Sequence, residues 1–192
     1  MTQDADVGSE TTEHATIAGG CFWCLEAIFQ KVPGVIQILN GYSGGHVSNP
    51  TYQQVCSDTT GHAESVQVTF DPDIIGYTEI LEIFFSIHDP TTPNRQGNDI
   101  GHSYRSVIFY HSAEQQDLAQ EMVVRLLTSK SWPDPIVTEI VPLTDFYRAE
   151  DYHQNYFLNN SDQPYCQVII EPKLRKFLSR TDPSLDPSNP SQ

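Results

Sequence analysis

A strand pattern followed closely by a helix pattern sets the fold class of this 192-residue chain. Residues 64–72, ESVQVTFDP, alternate apolar and polar side chains, as a strand with one buried face does. Residues 77–89, YTEILEIFFSIHD, repeat apolar side chains at helical spacing, as a helix packed on a sheet does. Together they predict a sheet with helices packed against it.

The same alternation extends along most of the chain. Further strands are expected at 14–20, 35–45, 104–112 and 135–143, and further helices at 21–32, 50–56, 112–130 and 149–160. The order β-α-β-β-α-β predicts an α+β fold, namely a ferredoxin-like plait with extra helices and a mostly antiparallel sheet. The C-terminal segment is expected to be irregular.

One domain is expected over residues 14–178, since no repeat or linker interrupts this range. Residues 1–13 are polar, and residues 179–192 are rich in Pro, Ser and Asp, so both ends are expected to be disordered. No secretion signal is expected, because the N-terminus is acidic and has no apolar stretch. No apolar run is long enough to span a bilayer.

Charge and cysteine content narrow the class of partner and the compartment. The formal net charge of −15 argues against nucleic acid or an anionic membrane as the main partner, because phosphate binding needs clustered cations. Four cysteines are too few for a disulfide scaffold. A reducing cytoplasm is therefore expected, where paired cysteines tend to be catalytic or metal-binding.

Residues 19–24, GGCFWC, carry the strongest chemical signal. Cys21 is placed where a strand ends in two glycines and a helix begins, and a helix N-terminus stabilises a thiolate. Cys24 falls one turn later on the same side, with less help from the helix dipole. This reasoning makes Cys21 the better nucleophile of the two.

Two other interpretations of the cysteine pair remain open at this point. Both thiols could simply be small core side chains, as free cysteines often are. A zinc site is less favoured, because Cys56 and Cys166 stand alone and no second pair completes four ligands.

The cysteine motif and four further blocks resemble the A-type peptide methionine sulfoxide reductases. The blocks are GGCFWCLEAIFQKVPGV, the run from GYSGGHVSNPTYQQVC to TFDP, HDPTTPNRQGNDIGHSYRSVIFY, EDYHQNY and PYCQVIIEPKL. They cover residues 14–177 in the family's order. The chain departs from many members at Cys24, where they carry Gly. The resemblance implies an α+β plait and reduction of methionine-S-sulfoxide to methionine.

The resemblance also assigns candidate roles to residues. It implies that Cys21 attacks the sulfoxide sulfur, that Glu64 protonates the leaving oxygen, and that the S–O group is held by tyrosines. The two tyrosines in this role are Tyr52 and Tyr104. Asp99 is expected to orient the site, and Phe22 and Trp23 are expected to form an apolar wall for the substrate methyl group. Each of these residue types is more often simply packed or solvated, so the roles depend on motif context.

Attack leaves a Cys21 sulfenic acid, which condenses with a second thiol. The resemblance offers two resolving thiols: Cys166 matches the one in members with a mobile C-terminal segment, and Cys24 matches the one in members with the C-F-W-C form. Cys166 is slightly preferred here, and a relay through both stays open. Cys56 is expected to be a buried structural thiol. The disulfide is expected to be reduced by thioredoxin, with no metal, flavin or nicotinamide cofactor, in a cytoplasmic monomer that repairs oxidative damage.

Three other functions compete with methionine sulfoxide reduction. A general thiol–disulfide oxidoreductase would use Cys21 and Cys24 alone and would leave Glu64, Tyr52 and Tyr104 without a role. A non-enzymatic acidic interaction module would keep its function after Cys21 is alkylated. A Cys/His hydrolase has little support, because no oxyanion-binding loop can be identified.

Overall fold

The computed structural model describes residues 11–181. The expected disordered ends, 1–13 and 179–192, therefore lie largely outside the described residues. Ordered structure overlaps both predictions slightly, since the first strand begins at Glu13 and the last helix ends at Thr181.

A six-stranded sheet forms the centre of the fold, beside a separate two-stranded hairpin. The strands are β1 (Glu13–Gly19), β2 (Val35–Ser43), β3 (Ala63–Phe70), β4 (Arg95–Gln96), β5 (Asp99–Ile100), β6 (Ser106–Tyr110), β7 (Glu139–Pro142) and β8 (Phe146–Arg148). The sheet order is β7-β6-β1-β3-β2-β8, and β4 pairs with β5 outside it. All neighbours in the large sheet are antiparallel except β6 and β7, which are parallel.

Six α-helices connect and cover these strands. They are α1 (Phe22–Phe29), α2 (Tyr52–Cys56), α3 (Tyr77–Ile87), α4 (Ala113–Thr128), α5 (Tyr156–Asn159) and α6 (Glu171–Thr181). Short 3-10 turns at His102–Tyr104 and Asp151–His153 and a π-helical turn at Cys166–Ile170 complete the described structure. The mixed α+β fold predicted from the sequence is confirmed, and its sheet is mixed rather than purely antiparallel.

The C-terminal region is where the sequence prediction fails. Residues 166–181 are helical, not irregular, because Cys166, Ile170, Leu174 and Phe177 recur at helical spacing and are all buried. Pro172 follows the π-helical turn without a break, so it lies inside a continuous helical run and its missing N–H removes a helical hydrogen bond. Its ring crowds the carbonyl four residues back, which accounts for the widened turn before it.

The helix expected at 149–160 is broken into two short pieces. Asn155 adopts a left-handed conformation (φ 53°) between the 3-10 turn and α5. The backbone N–H groups of Asn155 and Tyr156 donate to the buried Glu26 carboxylate at 2.6 and 2.9 Å. This tertiary contact overrides the local helix pattern.

Strand β3 carries the core and leads to the functional site. It lies between β1 and β2, and Val66 faces Ile17 on one side and Asn40 on the other. Its first four residues are all buried, which is expected of a central strand covered on both faces. Any polar side chain at this end of β3 is therefore held in place and shielded from water.

Candidate active site

Cys21 lies at the turn that joins β1 to α1. Gly20 makes the turn with φ +93°, and a Cβ there would come within 2.5 Å of Gln96 Cγ, so only glycine fits. Cys21 is the N-cap residue of α1, and its carbonyl accepts the Cys24 N–H at 3.1 Å. The Cys21 thiol is 7% exposed at the helix N-terminus, as the sequence predicts.

Glu64 enters the same point from the buried end of β3. Its Oε2 accepts the backbone N–H of Phe22 at 3.1 Å, so the carboxyl caps α1 directly beside Cys21. Burial raises the pKa of Glu64 from its usual 4.5 to about 8, against the lowering effect of the Phe22 N–H. Glu64 therefore holds a proton at neutral pH that it can donate.

The two thiols of the motif differ in a way that the sequence reasoning does not foresee. Burial raises the pKa of Cys21 well above its usual range, and its hydrogen bond to Cys24 and the nearby Glu64 add to the rise. The same hydrogen bond lowers the pKa of Cys24, helped by Lys173 Nζ at 3.8 Å from Cys24 Sγ. In the resting site the helix dipole thus fails to outweigh burial at Cys21, and negative charge is better accommodated at Cys24.

The aromatic wall expected from Phe22 and Trp23 consists of two residues in different environments. Phe22 is completely buried, with ring centroids 6.0 Å from Tyr42 and 6.5 Å from Tyr52. Trp23 is half-buried and stacks on Tyr156 at 3.7 Å with the rings nearly parallel. Trp23 is therefore the ring of this pair that a substrate can reach, and Phe22 supports the site from behind.

Tyr52 and Tyr104 reach the site from different elements. Tyr52 begins α2, and Tyr104 ends the 3-10 turn before β6. Both are half-buried, and burial followed by the charge of Glu64 raises the pKa of each phenol above its usual range. Both hydroxyls consequently keep their protons and can donate hydrogen bonds to a polar group beside Glu64.

Asp99 meets the C-terminal segment through a tyrosine that the sequence analysis missed. The Tyr165 hydroxyl donates to Asp99 Oδ2 at 3.0 Å and lies within hydrogen-bond reach of Cys21 and Cys24. The sequence feature that pointed to Tyr165 is its position next to Cys166 in PYCQV. Asp99 thus orients a phenol over the two thiols.

Glu150 and His153 are also part of the site, and of these two the sequence reasoning missed Glu150. Glu150 accepts the Tyr42 hydroxyl at 2.8 Å and the Tyr52 backbone N–H at 2.9 Å. His153 Nδ1 accepts the Trp23 indole N–H at 3.2 Å, so the neutral ring carries its proton on Nε2. That Nε2 lies 4.0 Å from Glu150 Oε2, beyond hydrogen-bond distance, and has no hydrogen-bond partner among the described residues.

The remaining cysteines are placed differently from expectation. Cys56 ends α2 and is exposed, so the prediction that it is buried is wrong. Cys166 is fully buried in the π-helical turn, close enough to Cys24 for the Cys24 charge to raise its pKa beyond the effect of burial. Within residues 11–181, hydrogen bonds join Cys21 to Cys24 but not to Cys166.

The other histidines of the resembling blocks hold the framework together. His62 accepts the Gly45 N–H and contacts the Val47 carbonyl, which fixes the glycine loop. His88 is buried against Phe84 and Ser106, and burial lowers its pKa to about 4. Both rings are structural.

The described residues show no metal-ligand cluster and no helix suited to a bilayer. Among residues 11–181, no three histidine, cysteine or carboxylate side chains converge as metal ligands do. Over the same residues, none of the helices combines the length and apolar character that crossing a bilayer requires.

Known proteins share this arrangement of sequence and fold. The family model for peptide methionine sulfoxide reductase matches residues 13–185. Peptide methionine sulfoxide reductase MsrA of Sulfolobus acidocaldarius is 57% identical over 166 residues, which cover 86% of this chain and 93% of that protein. Reduced Mxr1 from Saccharomyces cerevisiae superposes with a TM-score of 0.76 at 35% identity, covering 81% of this chain and 89% of that one.

A second Mxr1 structure, in complex with Trx2, matches with a TM-score of 0.55 at 26% identity and covers 79% of this chain and 91% of that one. The agreement in sequence extends over most of both partners in each comparison. The family model alone spans nearly the whole described range. The chain therefore belongs to the peptide methionine sulfoxide reductase family.

Proposed function

We propose that this oxidoreductase reduces methionine-S-sulfoxide, free or in proteins, to methionine through a Cys21 sulfenic acid. The observation that carries the proposal is the contact of Glu64 with the N-terminus of α1, at 3.1 Å from the Phe22 N–H and next to Cys21. A buried thiol beside a carboxyl that is protonated at neutral pH suits oxygen transfer from a sulfoxide.

In the proposed step, the Cys21 sulfur attacks the sulfoxide sulfur while Glu64 gives its proton to the oxygen. The sulfoxide S–O bond breaks and the protonated oxygen leaves as hydroxide. The hydroxide adds to the Cys21 sulfur, the bond between the two sulfurs breaks, and methionine is released, leaving Cys21 as a sulfenic acid. The methionine sulfur is reduced by two electrons, and the Cys21 sulfur is oxidised by two. The thiol proton of Cys21 replaces the one that Glu64 gave.

The surrounding groups support this step by binding and orientation. Tyr52 and Tyr104 keep their phenolic protons and donate to the S–O group as negative charge builds on its oxygen. The half-buried face of Trp23, fixed by Tyr156 and His153, holds the substrate methyl group. Asp99 keeps the Tyr165 hydroxyl over the thiols.

The sulfenic acid is resolved by a second thiol, Cys24 or Cys166, and the disulfide is reduced by thioredoxin. The complex of the related Mxr1 with Trx2 supports a thioredoxin-type reductant. All four cysteines of this chain are free thiols, the state in which a turnover begins. A dithiol protein restores that state by exchange.

The proposal also covers the domain bounds, the fold type, and the oligomeric state and location of the protein. Residues 14–178 form the single catalytic domain, and its core is a ferredoxin-like plait. The antiparallel order β6-β1-β3-β2, with α1 after β1 and α3 after β3, supports that assignment. The protein works as a monomer in the cytoplasm, where its four thiols stay reduced.

A single-turnover experiment tests the proposed function. Fully reduced protein is mixed with an excess of each methionine sulfoxide epimer, without external reductant, and the products are read by mass spectrometry. We expect about one methionine per chain from the S epimer alone, with two thiols lost. Absence of methionine from both epimers, with retained exchange of small disulfides, would instead identify a general thiol–disulfide oxidoreductase.

A further inference from the structure

Lys173 contacts the second thiol of the motif from the far end of the chain. It is the third residue of α6 and is half-buried, with Nζ 3.8 Å from Cys24 Sγ. Helix α6 packs directly against α1, so the contact is part of the interface between these two helices. The backbone at Lys173 is fixed, since Leu174 next to it is buried in the core.

Lys173 forms no ion pair with a carboxylate among the described residues. Within residues 11–181, the basic partners of the ion pairs are Arg105, Arg125, Arg148 and Arg175, and Lys173 takes part in none. A half-buried cation without a carboxylate partner gains stability from an adjacent anion, and the Cys24 sulfur is in position to become one.

Four ionisable groups act on the Cys24 sulfur. Cys21 donates a hydrogen bond, Lys173 supplies a positive charge, Tyr165 offers its hydroxyl, and Asp99 opposes with a negative charge. The balance lowers the pKa of Cys24, led by the Cys21 hydrogen bond. Oxidation of Cys21 to a sulfenic acid removes the thiol whose hydrogen bond lowers the pKa of Cys24 most. Lys173 then supplies a larger share of the stabilisation of the Cys24 anion.

We propose that Lys173 is a positioning residue for the resolving step: its amine, 3.8 Å from Cys24 Sγ, stabilises the negative charge on Cys24 as that sulfur attacks the Cys21 sulfenic acid, the role that the resemblance implies for Cys24. This inference rests on the proposed function, because the sulfenic acid is its product. In the step, Cys24 sulfur bonds to Cys21 sulfur, the S–O bond breaks, and hydroxide leaves and takes up a proton from solvent as water. The sulfenic sulfur is the oxidant, so no other co-reactant is needed.

The test compares bridge formation in three variants of the full-length enzyme. Reduced protein is mixed with one equivalent of methionine-S-sulfoxide, quenched by acid at set times, and mapped for the first disulfide across a range of pH. Lys173→Gln removes the charge, Lys173→Arg restores it, and Lys176→Gln is the matched control. Lys176 is an exposed lysine on the same helix.

We expect Lys173→Gln to release a full equivalent of methionine but to form the Cys21–Cys24 bridge roughly three- to ten-fold more slowly at pH 7. Its rate should rise at higher pH than in the wild type and converge with it once Cys24 ionises without help. Dimedone should trap correspondingly more Cys21 sulfenic acid. Lys173→Arg should recover most of the rate, and Lys176→Gln should match the wild type.

Two results would overturn the inference while leaving the proposed function intact. One is normal methionine release with a bridge rate and pH profile in Lys173→Gln that equal those of the wild type. The other is a first bridge that joins Cys21 to Cys166. Absence of methionine from the wild type would instead refute the proposed function itself.

Discussion

The two halves of the site are constructed in different ways. Cys21 and Glu64 are fixed by the sheet, one at the end of β1 and the other at the buried start of β3. Residues 149–181, which we term the covering segment, reach the same point through side-chain contacts made by Glu150, His153, Tyr165 and Lys173. The difference indicates that the sheet places the reacting groups and the covering segment adjusts their surroundings.

The largest effect should come from the sheet-borne thiol. Cys21→Ser removes the proposed nucleophilic sulfur at the N-terminus of α1, and we expect methionine formation to vanish. Methionine released from excess sulfoxide with dithiothreitol as reductant measures this. Cys56→Ser is the control, because that exposed cysteine should be dispensable. Turnover by Cys21→Ser above background would move the nucleophile elsewhere.

The sheet-borne acid should come next. Glu64→Gln cannot give up a proton, so we expect the reduction step to slow by about a hundredfold or more while substrate binding changes little. The wild-type rate should fall as pH rises through about 8, where Glu64 loses its proton, and the variant should lack this decline. Single-turnover rates across pH 6–10 test both, and a normal rate in the variant would exclude Glu64 as the acid.

The same substitution should change stability in the opposite sense. The folded protein holds the Glu64 proton up to about pH 8, so its contribution to stability is complete below pH 4.5 and is lost as pH rises through 8. Glu64→Gln should therefore match the wild type near pH 4.5 and exceed it by about 4 kcal/mol above pH 8. Urea denaturation at several pH values measures the difference.

Glu121→Gln, at an exposed position on α4, is the control for that series. It should follow the wild type at every pH. A constant offset between Glu64→Gln and the wild type, independent of pH, would show that packing rather than ionisation causes the change.

The covering segment should give a smaller effect. Glu150→Gln keeps the shape of the side chain but weakens the acceptors for the Tyr42 hydroxyl and the Tyr52 N–H. We expect kcat/KM to fall about ten-fold, which corresponds to the loss of one good hydrogen bond. Steady-state kinetics test this. A loss as complete as that of Cys21→Ser would remove the distinction between the two halves.

Each half of the site can be predicted from the sequence only as far as its contacting residues lie close together in the chain. Gly20, Cys21 and the start of α1 are one local motif, and the alternation in β3 predicts where Glu64 enters the sheet. The hydrogen bond from Tyr165 to Asp99 spans 66 positions, and the contact from Lys173 to Cys24 spans 149. No local pattern encodes such pairs, so residue-by-residue reasoning finds the sheet-borne half and misses most of the other.

Local rules also misled the sequence analysis at specific points. The helix-dipole argument ranked Cys21 above Cys24 as a thiolate, but desolvation of a buried sulfur is the larger effect. The segment that forms α6 is expected to be irregular, although Leu174 and Phe177 recur at helical spacing and are buried in the core. Both errors arise from burial and packing, which only the folded chain reveals.

The unequal exposure of the four cysteines makes the chain its own reporter of folding. Cys21, Cys24 and Cys166 are buried and Cys56 is exposed, so a thiol-reactive dye should label one sulfur quickly in the native protein. Each of the other three becomes available only when α1 or the π-helical turn opens. The time course of dye uptake therefore separates opening of the site from complete unfolding, with no cysteine introduced by mutation.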